Sequence, residues 1–440
     1  MSPRLLASIL SLAVLVACAD SEAANAPPDG VGTESAAAYD HYLAAQDFLE
    51  RRLGQEDPDS AVARFEAAVS ADPEFAEAWA GLAQSRMWLH FNRNVPGQVR
   101  PARQAADRAE ELDPDGVETR LAQGYVAYWG NRDFDAALTE FLAAEQLAAD
   151  DPDVAGAIGN IYRRQGRLED AVRYYERRVE LAPELEQGLA TLAGTYGATG
   201  QYDAMAEVAE RLLEMGDRRG QYWRFWSRFN AGDTAAAWSV IPDIATAEER
   251  ETPAFFEVLQ SAVRRNDAQI LEMMQQMDLE DVGWGLQREL TQAIARANQA
   301  DAHAEVIDLW IADRLDGLNL EQPSEAAQAT REASRRSQAA LLEALRGNRA
   351  AALEHAERVA ELEPLEGDVW SGGGTVWNLA QTYLELGDRE RALDLLEAMH
   401  ARGLGSASGW MELHPTYDPI RGDSRFTTMV QARREMETAP

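Results

Sequence analysis

Two stretches of the chain decide its fold: IGNIYRRQGRL at residues 158–168 and LAGTYGATGQY at residues 192–202. They repeat one pattern 34 residues apart: an aliphatic residue beside a small one, a tyrosine, and then a glycine. A small residue lets two helices approach closely, and a glycine turns the chain between antiparallel helices. Each helix pair leaves an apolar face that only a neighbouring pair can cover. The pattern therefore predicts a stack of helix pairs.

The same spacing continues on both sides of these two stretches. Small and aromatic residues recur at the positions that the pattern predicts, and prolines such as Pro73 and Pro183 end several units. The recurring small and aromatic residues include Phe65, Ala68, Gly124, Ala137, Phe141, Ala380, Tyr383, Gly387 and Ala392. This arrangement resembles the tetratricopeptide repeat. The resemblance implies an all-α fold, a right-handed superhelical solenoid of antiparallel helix pairs. We predict an N-terminal array at residues 38–216, and C-terminal repeats with a terminal capping helix at residues 335–440.

The middle of the chain, residues 217–334, is less regular. Helix pairs are predicted at 221–230 with 234–240, at 253–265 with 268–277, and at 284–298 with 302–315, but they lack the consensus small residues and glycine turns. We interpret them as degenerate repeats of the same solenoid. An embedded domain of another kind is the alternative, although strand signals are missing. The glycine-rich run Ser371–Thr375 is predicted to be a loop between helices.

The stretch His414–Phe426 resembles the end of the tetratricopeptide tails of bacterial adenylate cyclases and winged-helix regulators. In those proteins the stretch leads into a terminal helix. No catalytic or DNA-binding domain precedes the repeats in this sequence. The resemblance therefore implies the scaffold alone and neither of those activities.

The N-terminus has the pattern of a secreted, lipid-modified protein. Arg4 precedes the apolar run Leu5–Val16, whose twelve residues are fewer than the ~20 that span a bilayer. The sequence Leu15–Cys18 resembles a bacterial lipobox, which implies cleavage of a signal peptide at residues 1–17 and acylation of Cys18. An ordinary signal peptide or an uncleaved anchor is the alternative. Residues 18–37 are small and acidic and are predicted to be a flexible tether. Ala19 after the cysteine favours the outer membrane over the inner one.

Composition excludes several classes of function. The chain has no lysine, which removes P-loop, Schiff-base and protein-kinase chemistry. Its net charge of −34 argues against binding nucleic acid. Its single cysteine cannot form an internal disulfide, and its six histidines are not at metal-ligand spacing. We predict surface or capping histidines, no cofactor, no metal and no enzymatic activity.

Aromatic and arginine side chains predict a binding groove on the first helices of successive pairs. Arginine forks match carboxylates, and aromatic rings offer rigid apolar contact area. The expected occupant is a protein or peptide segment with acidic groups or a C-terminal carboxylate. The alternative is that the rings are packing core and the arginines are paired within the chain. The candidate residues are Trp88, Tyr125, Tyr128, Trp129, Asn160, Arg163, Arg164, Arg224 and Arg228.

Together these features predict a non-catalytic scaffold, lipid-anchored and periplasm-facing, in the envelope of a bacterial cell. A small-ligand or glycan-binding accessory protein that uses the aromatic groove is the second hypothesis. An envelope hydrolase with carboxylates in residues 217–334 is the third. A closed pocket, rather than an open trough, would favour the second hypothesis.

Overall fold

The computed structural model describes residues 27, 32–50, 58–93, 95–241, 251–276, 311–312, 315, 318, 329–362 and 368–438. All regular elements in these ranges are helical, which confirms the predicted all-α solenoid of helix pairs. The chain divides into two compact units, residues 1–154 and 155–440. Cys18, most of the tether and most of the predicted helices in 284–315 lie outside the described residues. None of the described helices is both long enough and apolar enough to cross a membrane.

The first unit contains consecutive helix pairs. Its helices are α1 (Ala36–Glu50), α2 (Pro58–Ala71), α3 (Ala76–Asn92), α4 (Val99–Leu112), α5 (Val117–Tyr125), which continues as a π-helical turn (Val126–Asn131), and α6 (Phe134–Leu147). Each helix packs against the next in the pairs α1–α2, α3–α4 and α5–α6. Gly124 is the small residue between α5 and α6, as predicted, because an added Cβ would lie 2.2 Å from Phe141 Cε1. A larger residue there would force the two helices apart.

The second unit continues the pairs. Its helices are α7 (Pro152–Arg164), whose first turn contains the unit boundary, α8 (Leu168–Leu181), α9 (Glu186–Thr199), α10 (Tyr202–Glu214), α11 (Arg219–Asn230), α12 (Thr234–Trp238), α13 (Glu251–Val263), α14 (Asp267–Gln276), α15 (Ala329–Leu345), α16 (Arg349–Glu361), α17 (Val369–Glu385), α18 (Arg389–His400), α19 (Ser408–Leu413) and α20 (Ser424–Glu437). Gly166 and Gly200 turn the chain with φ of +74° and +79°. Glycine suits these turns because it carries no Cβ penalty in the left-handed region.

The prediction of a loop at Ser371–Thr375 is wrong, because these residues lie inside α17. Asp368 caps the helix by accepting a hydrogen bond of 2.9 Å from the Ser371 backbone N–H. Gly372 and Gly373 are buried, and Gly373 lies so close to Leu404 that a Cβ would be 3.0 Å from its Cδ1. Tertiary packing of the helix therefore overrides the poor helix propensity of three glycines.

Candidate functional site

The residues predicted for the groove divide between the two units. Trp88, Tyr125, Tyr128 and Trp129 belong to the first unit, and the polar residues from Asn160 onward belong to the second. We describe each group within its own unit.

The aromatic group of the first unit forms packed core. The rings of Tyr125 and Trp129 stack at 4.5 Å between centroids, and the rings of Phe91 and Trp129 stack at 5.5 Å. Tyr128 is 2% exposed. Trp88 is half-buried and keeps part of its ring accessible. Three of the four rings are thus packing core, as the alternative interpretation expects. Their part in a groove stays a prediction.

Two arginines of α7 contact the start of α17. Arg164 is buried, and its Nη1 lies 3.4 Å from Asp368 Oδ2. The same nitrogen donates a hydrogen bond to the Ser371 hydroxyl. The guanidinium carbon of Arg163 lies 4.9 Å from the centroid of the Trp370 ring. The carboxylate and the aromatic ring that meet these arginines therefore come from the same chain.

The other polar candidates also have partners within the second unit. Asn160 accepts a hydrogen bond of 2.8 Å from the Tyr175 hydroxyl. Arg224 donates from Nε to Glu210 at 2.7 Å, and this hydrogen bond holds the pKa of the Glu210 carboxyl below its usual range. Arg228 donates to the backbone carbonyl of Ala236 at 3.4 Å. A partner that binds here would have to compete with these contacts.

The C-terminal helix lies against the end of α9. Arg433 Nη2 donates a hydrogen bond of 2.9 Å to the Ala198 carbonyl. The Tyr202 hydroxyl donates to Glu437 at 2.6 Å. Burial, and then this carboxylate, raise the pKa of Tyr202. The end of the chain thus fills part of the surface expected for a partner.

A cavity of about 530 Å³ lies in the second unit, and we call it the tryptophan cavity. Five aromatic side chains line it: Tyr222, Trp226, Trp370, Trp377 and Trp410. They come from α11, α17 and α19, so this site is assembled from distant parts of the sequence.

Sequence reasoning missed this cavity. The neighbours of Trp226 on α11, Phe225 and Phe229, are fully buried, so the sequence of this helix alone favours packing core. One signal was available: Trp370 and Trp377 are seven residues apart, a spacing that places both on one face of a helix. This spacing indicates a shared face only if the segment is helical, and the glycines between the two tryptophans predict a loop.

The histidines do not form a metal site in the described residues, where no cluster of histidine, cysteine or carboxylate side chains could hold an ion. His414 caps the short 3₁₀-helix Pro415–Tyr417 by accepting from the Thr416 N–H. His90, by contrast, is buried at 6% exposure, so the prediction of a surface or capping position is wrong for it.

Comparisons with known proteins agree with the helix pairs. Two family models, both described as tetratricopeptide repeat, match residues 47–87 and 154–188. Comparison with curated proteins finds no match.

Among solved structures, the chain is similar to the type IV pilus biogenesis factor PilW, with 17% identity, a TM-score of 0.39, and coverage of 48% of this chain and 95% of the other. It is also similar to PilF of Pseudomonas aeruginosa (17% identity, TM-score 0.37, coverage 48% and 90%) and to a tetratricopeptide repeat protein from Parabacteroides merdae (14% identity, TM-score 0.40, coverage 59% and 99%). The chain therefore contains tetratricopeptide repeats at residues 47–87 and 154–188. The helix pairs around Gly124 and Gly159 have the close packing at a small residue that such repeats use.

Proposed function

We propose that the protein is a non-catalytic scaffold that binds protein partners at the envelope of a bacterial cell. The observation that carries this proposal is the run of tetratricopeptide helix pairs in both units. Stacked repeats of this kind offer extended, rigid surfaces to other proteins and need no reactive group. The net charge of −34 supports a protein partner rather than nucleic acid.

The N-terminal sequence supports attachment to a membrane by lipid. The apolar run before Cys18 has the length of a secretory segment, and the cysteine is the chain's one thiol available for acylation. Several acyl chains hold a protein far more firmly than one chain does. The repeats would then face the periplasm, from the outer membrane rather than the inner one, at the end of the tether.

The contacts of α7 sharpen the chemistry expected of the partner. Arg164 binds the carboxylate of Asp368, and Arg163 lies over the ring of Trp370. A partner segment that combines a carboxylate with a neighbouring aromatic side chain could replace both contacts. This keeps the expectation of an acidic segment or C-terminal carboxylate and adds an aromatic residue to it.

The anchor is tested by replacing Cys18 with alanine in the bacterium. Wild-type protein should incorporate a labelled fatty acid and partition into detergent. The Cys18→Ala variant should do neither, while Ser21→Ala, three residues later, should behave as wild type. Wild-type protein without label, or Cys18→Ala protein that partitions like wild type, would contradict the anchor.

The scaffold is tested by capture from detergent-solubilised envelopes, followed by titration of the captured protein against purified chain. We expect a stoichiometric partner whose affinity falls when Arg163 is replaced by alanine. Arg173→Ala is a matched control, since that side chain is 71% exposed and pairs with Asp170. Recovery of no stoichiometric partner would count against the scaffold.

A second candidate function is the binding of a small ligand or glycan, which the aromatic lining of the tryptophan cavity supports. The cavity is an open depression rather than the closed pocket expected of that hypothesis. Its volume of about 530 Å³ falls within the ~300–1,000 Å³ range of ligand sites. For the third hypothesis, a hydrolase in residues 217–334, most of the second half of that segment lies outside the described residues.

A further inference from the structure

We propose that the tryptophan cavity binds a short, neutral saccharide. This inference rests on the second candidate function and is independent of the lipid anchor and of the scaffold.

Gly374 leaves the rim of the cavity without a side chain. It lies inside α17, where a glycine costs about 1 kcal/mol relative to alanine. A Cβ on Gly374 would meet no atom within 4 Å, so packing does not require a glycine there. The φ of this residue is not in the left-handed region either. Gly374 is exposed and lines the cavity, so a side chain here would extend over the rim of the cavity.

The rings around the cavity are held in place by other contacts. Trp410 stacks on His414 at 4.3 Å with an interplanar angle of 11°. Trp377 contacts Tyr417 at 5.3 Å between ring centroids. Trp370 has the guanidinium of Arg163 above it. Rings that are fixed before binding lose little entropy when a ligand arrives.

The charges at the cavity favour a neutral ligand. Among the residues that line it, Arg433 is the charged one, and its guanidinium binds Glu437 at 2.9 Å and the Ala198 carbonyl at 2.9 Å. A charged ligand would therefore enter without a free counter-charge to meet it. The Arg163 guanidinium already lies over the Trp370 ring, and this positive charge disfavours a quaternary ammonium ligand at the same ring.

The remaining groups match the two faces of a sugar ring. Aromatic side chains offer apolar faces to the C–H groups of a pyranose. Asn230 and Ser406 line the same cavity. The Ser406 hydroxyl accepts a hydrogen bond of 3.0 Å from the Tyr417 hydroxyl and keeps its own proton to donate to a sugar hydroxyl. Aromatic walls with a few placed polar groups are the usual composition of a small-molecule site.

The test uses Gly374→Leu, which places the side chain of a good helix former at the rim of the cavity. Wild-type protein is titrated with cellotriose, maltotriose, laminaritriose and triacetylchitotriose, with tryptophan fluorescence and calorimetry as readouts. We expect saturable binding of at least one of them, weakened by about tenfold or more in Gly374→Leu because the leucine takes the ligand's space. Circular dichroism should show the variant folded as wild type.

Gly422→Leu is the matched control. A Cβ there also meets nothing within 4 Å, and the residue lies outside the cavity. It should bind the saccharide as wild type does.

The proposal is overturned if no saccharide binds at concentrations up to about 10 mM. It is also overturned if folded Gly374→Leu binds as tightly as wild type, or if choline or a tryptophan-containing peptide binds there instead. Capture of a protein partner by a chain that binds no saccharide would overturn this inference and leave the scaffold intact.

Discussion

Two aromatic groups, one in each unit, have similar composition and different surroundings. In the first unit, Tyr125, Tyr128 and Trp129 lie within five residues of one another and pack together. In the second unit, the rings of the tryptophan cavity come from three helices that are far apart in the sequence. Rings that are close in sequence on one helix bury each other, whereas rings brought together from distant helices can surround a space.

The difference predicts different costs of losing a ring. A ring packed among other rings contributes to folding through buried area and close contact. Trp377 and Trp410 of the cavity are also 9% exposed, so their removal should cost folding energy as well as ligand affinity. Substitutions at Trp129 and Arg164 separate the packed rings of the first unit from the buried contacts of the second.

The largest effect is expected for Trp129→Ala. Removing a buried tryptophan lowers the free energy of unfolding by about 4 kcal/mol, through lost transfer energy and the space left behind. Trp129 is 9% exposed and contacts Phe91, Tyr125 and Tyr128. Chemical denaturation of the first unit measures this loss in the free energy of unfolding.

Trp88→Ala is the control, because Trp88 is half-buried in the same unit. It should cost clearly less than Trp129→Ala. Equal costs would mean that the two rings have the same role, and a stable Trp129→Ala protein with impaired partner binding would support the groove instead.

A slightly smaller effect is expected for Arg164→Leu. This substitution removes the guanidinium of Arg164 from beside Asp368, a carboxylate that is 4% exposed. Breaking a buried pair from one side costs about 3 kcal/mol. Thermal unfolding of the second unit measures the loss, and adding Asp368→Asn should recover part of it because asparagine can still cap α17.

Arg224→Leu is the matched control for that experiment. Arg224 binds Glu210, whose side chain is 52% exposed, so the pair is worth at most about 1 kcal/mol. Comparable losses for Arg164→Leu and Arg224→Leu would show that the contact with α17 adds nothing beyond an ordinary surface pair.

Much of the fold could be predicted from local patterns. The spacing of Gly166 and Gly200 predicted turns between helices, and both residues have the positive φ that such turns use. Gly159 was expected between two helices, and a Cβ there would lie 2.9 Å from Tyr175 Cε1. These features depend on neighbours within one helix pair, which a short stretch of sequence specifies.

The site could be predicted far less well. The contacts of Arg164 and Arg433 join residues more than two hundred positions apart, and no repeat pattern specifies such pairings. The helix through Gly372–Gly374 depends on burial against Leu404, which sequence propensity does not contain. Predicting the tryptophan cavity requires both the long-range contacts and the helix through the glycines, so only the three-dimensional structure reveals it.

A smaller effect separates Gly200→Ala from Gly387→Ala. Both glycines have positive φ, of +79° and +76°, so each alanine costs about 1 kcal/mol of backbone strain. At Gly200 the new Cβ would also lie 2.9 Å from Glu437 Cγ and 3.2 Å from its Cα, whereas at Gly387 it would meet nothing within 4 Å. We expect Gly200→Ala to lose roughly 1 kcal/mol more. Equal melting temperatures for the two variants would contradict the contact of α20 with the end of α9.

The smallest effect concerns His400, the last residue of α18. Burial, and then the charge of Arg433, lower the pKa of His400 from its ordinary value to about 4, while Glu437 opposes the shift. The folded state therefore prefers the neutral ring. Its contribution to stability is complete above pH ~6.5, the unfolded pKa, and is lost as the pH falls toward 4.

His400→Gln, which stays neutral, should reduce the acid sensitivity of the second unit. At pH 5.5 the variant should lose about 1 kcal/mol less than wild type, each relative to its own stability at pH 8. Denaturant midpoints at the two pH values measure the difference. Parallel losses in both proteins would show that the ring is as easily protonated in the folded chain as in the unfolded one, and that Arg433 and Gly405 do not enclose it as the structure indicates.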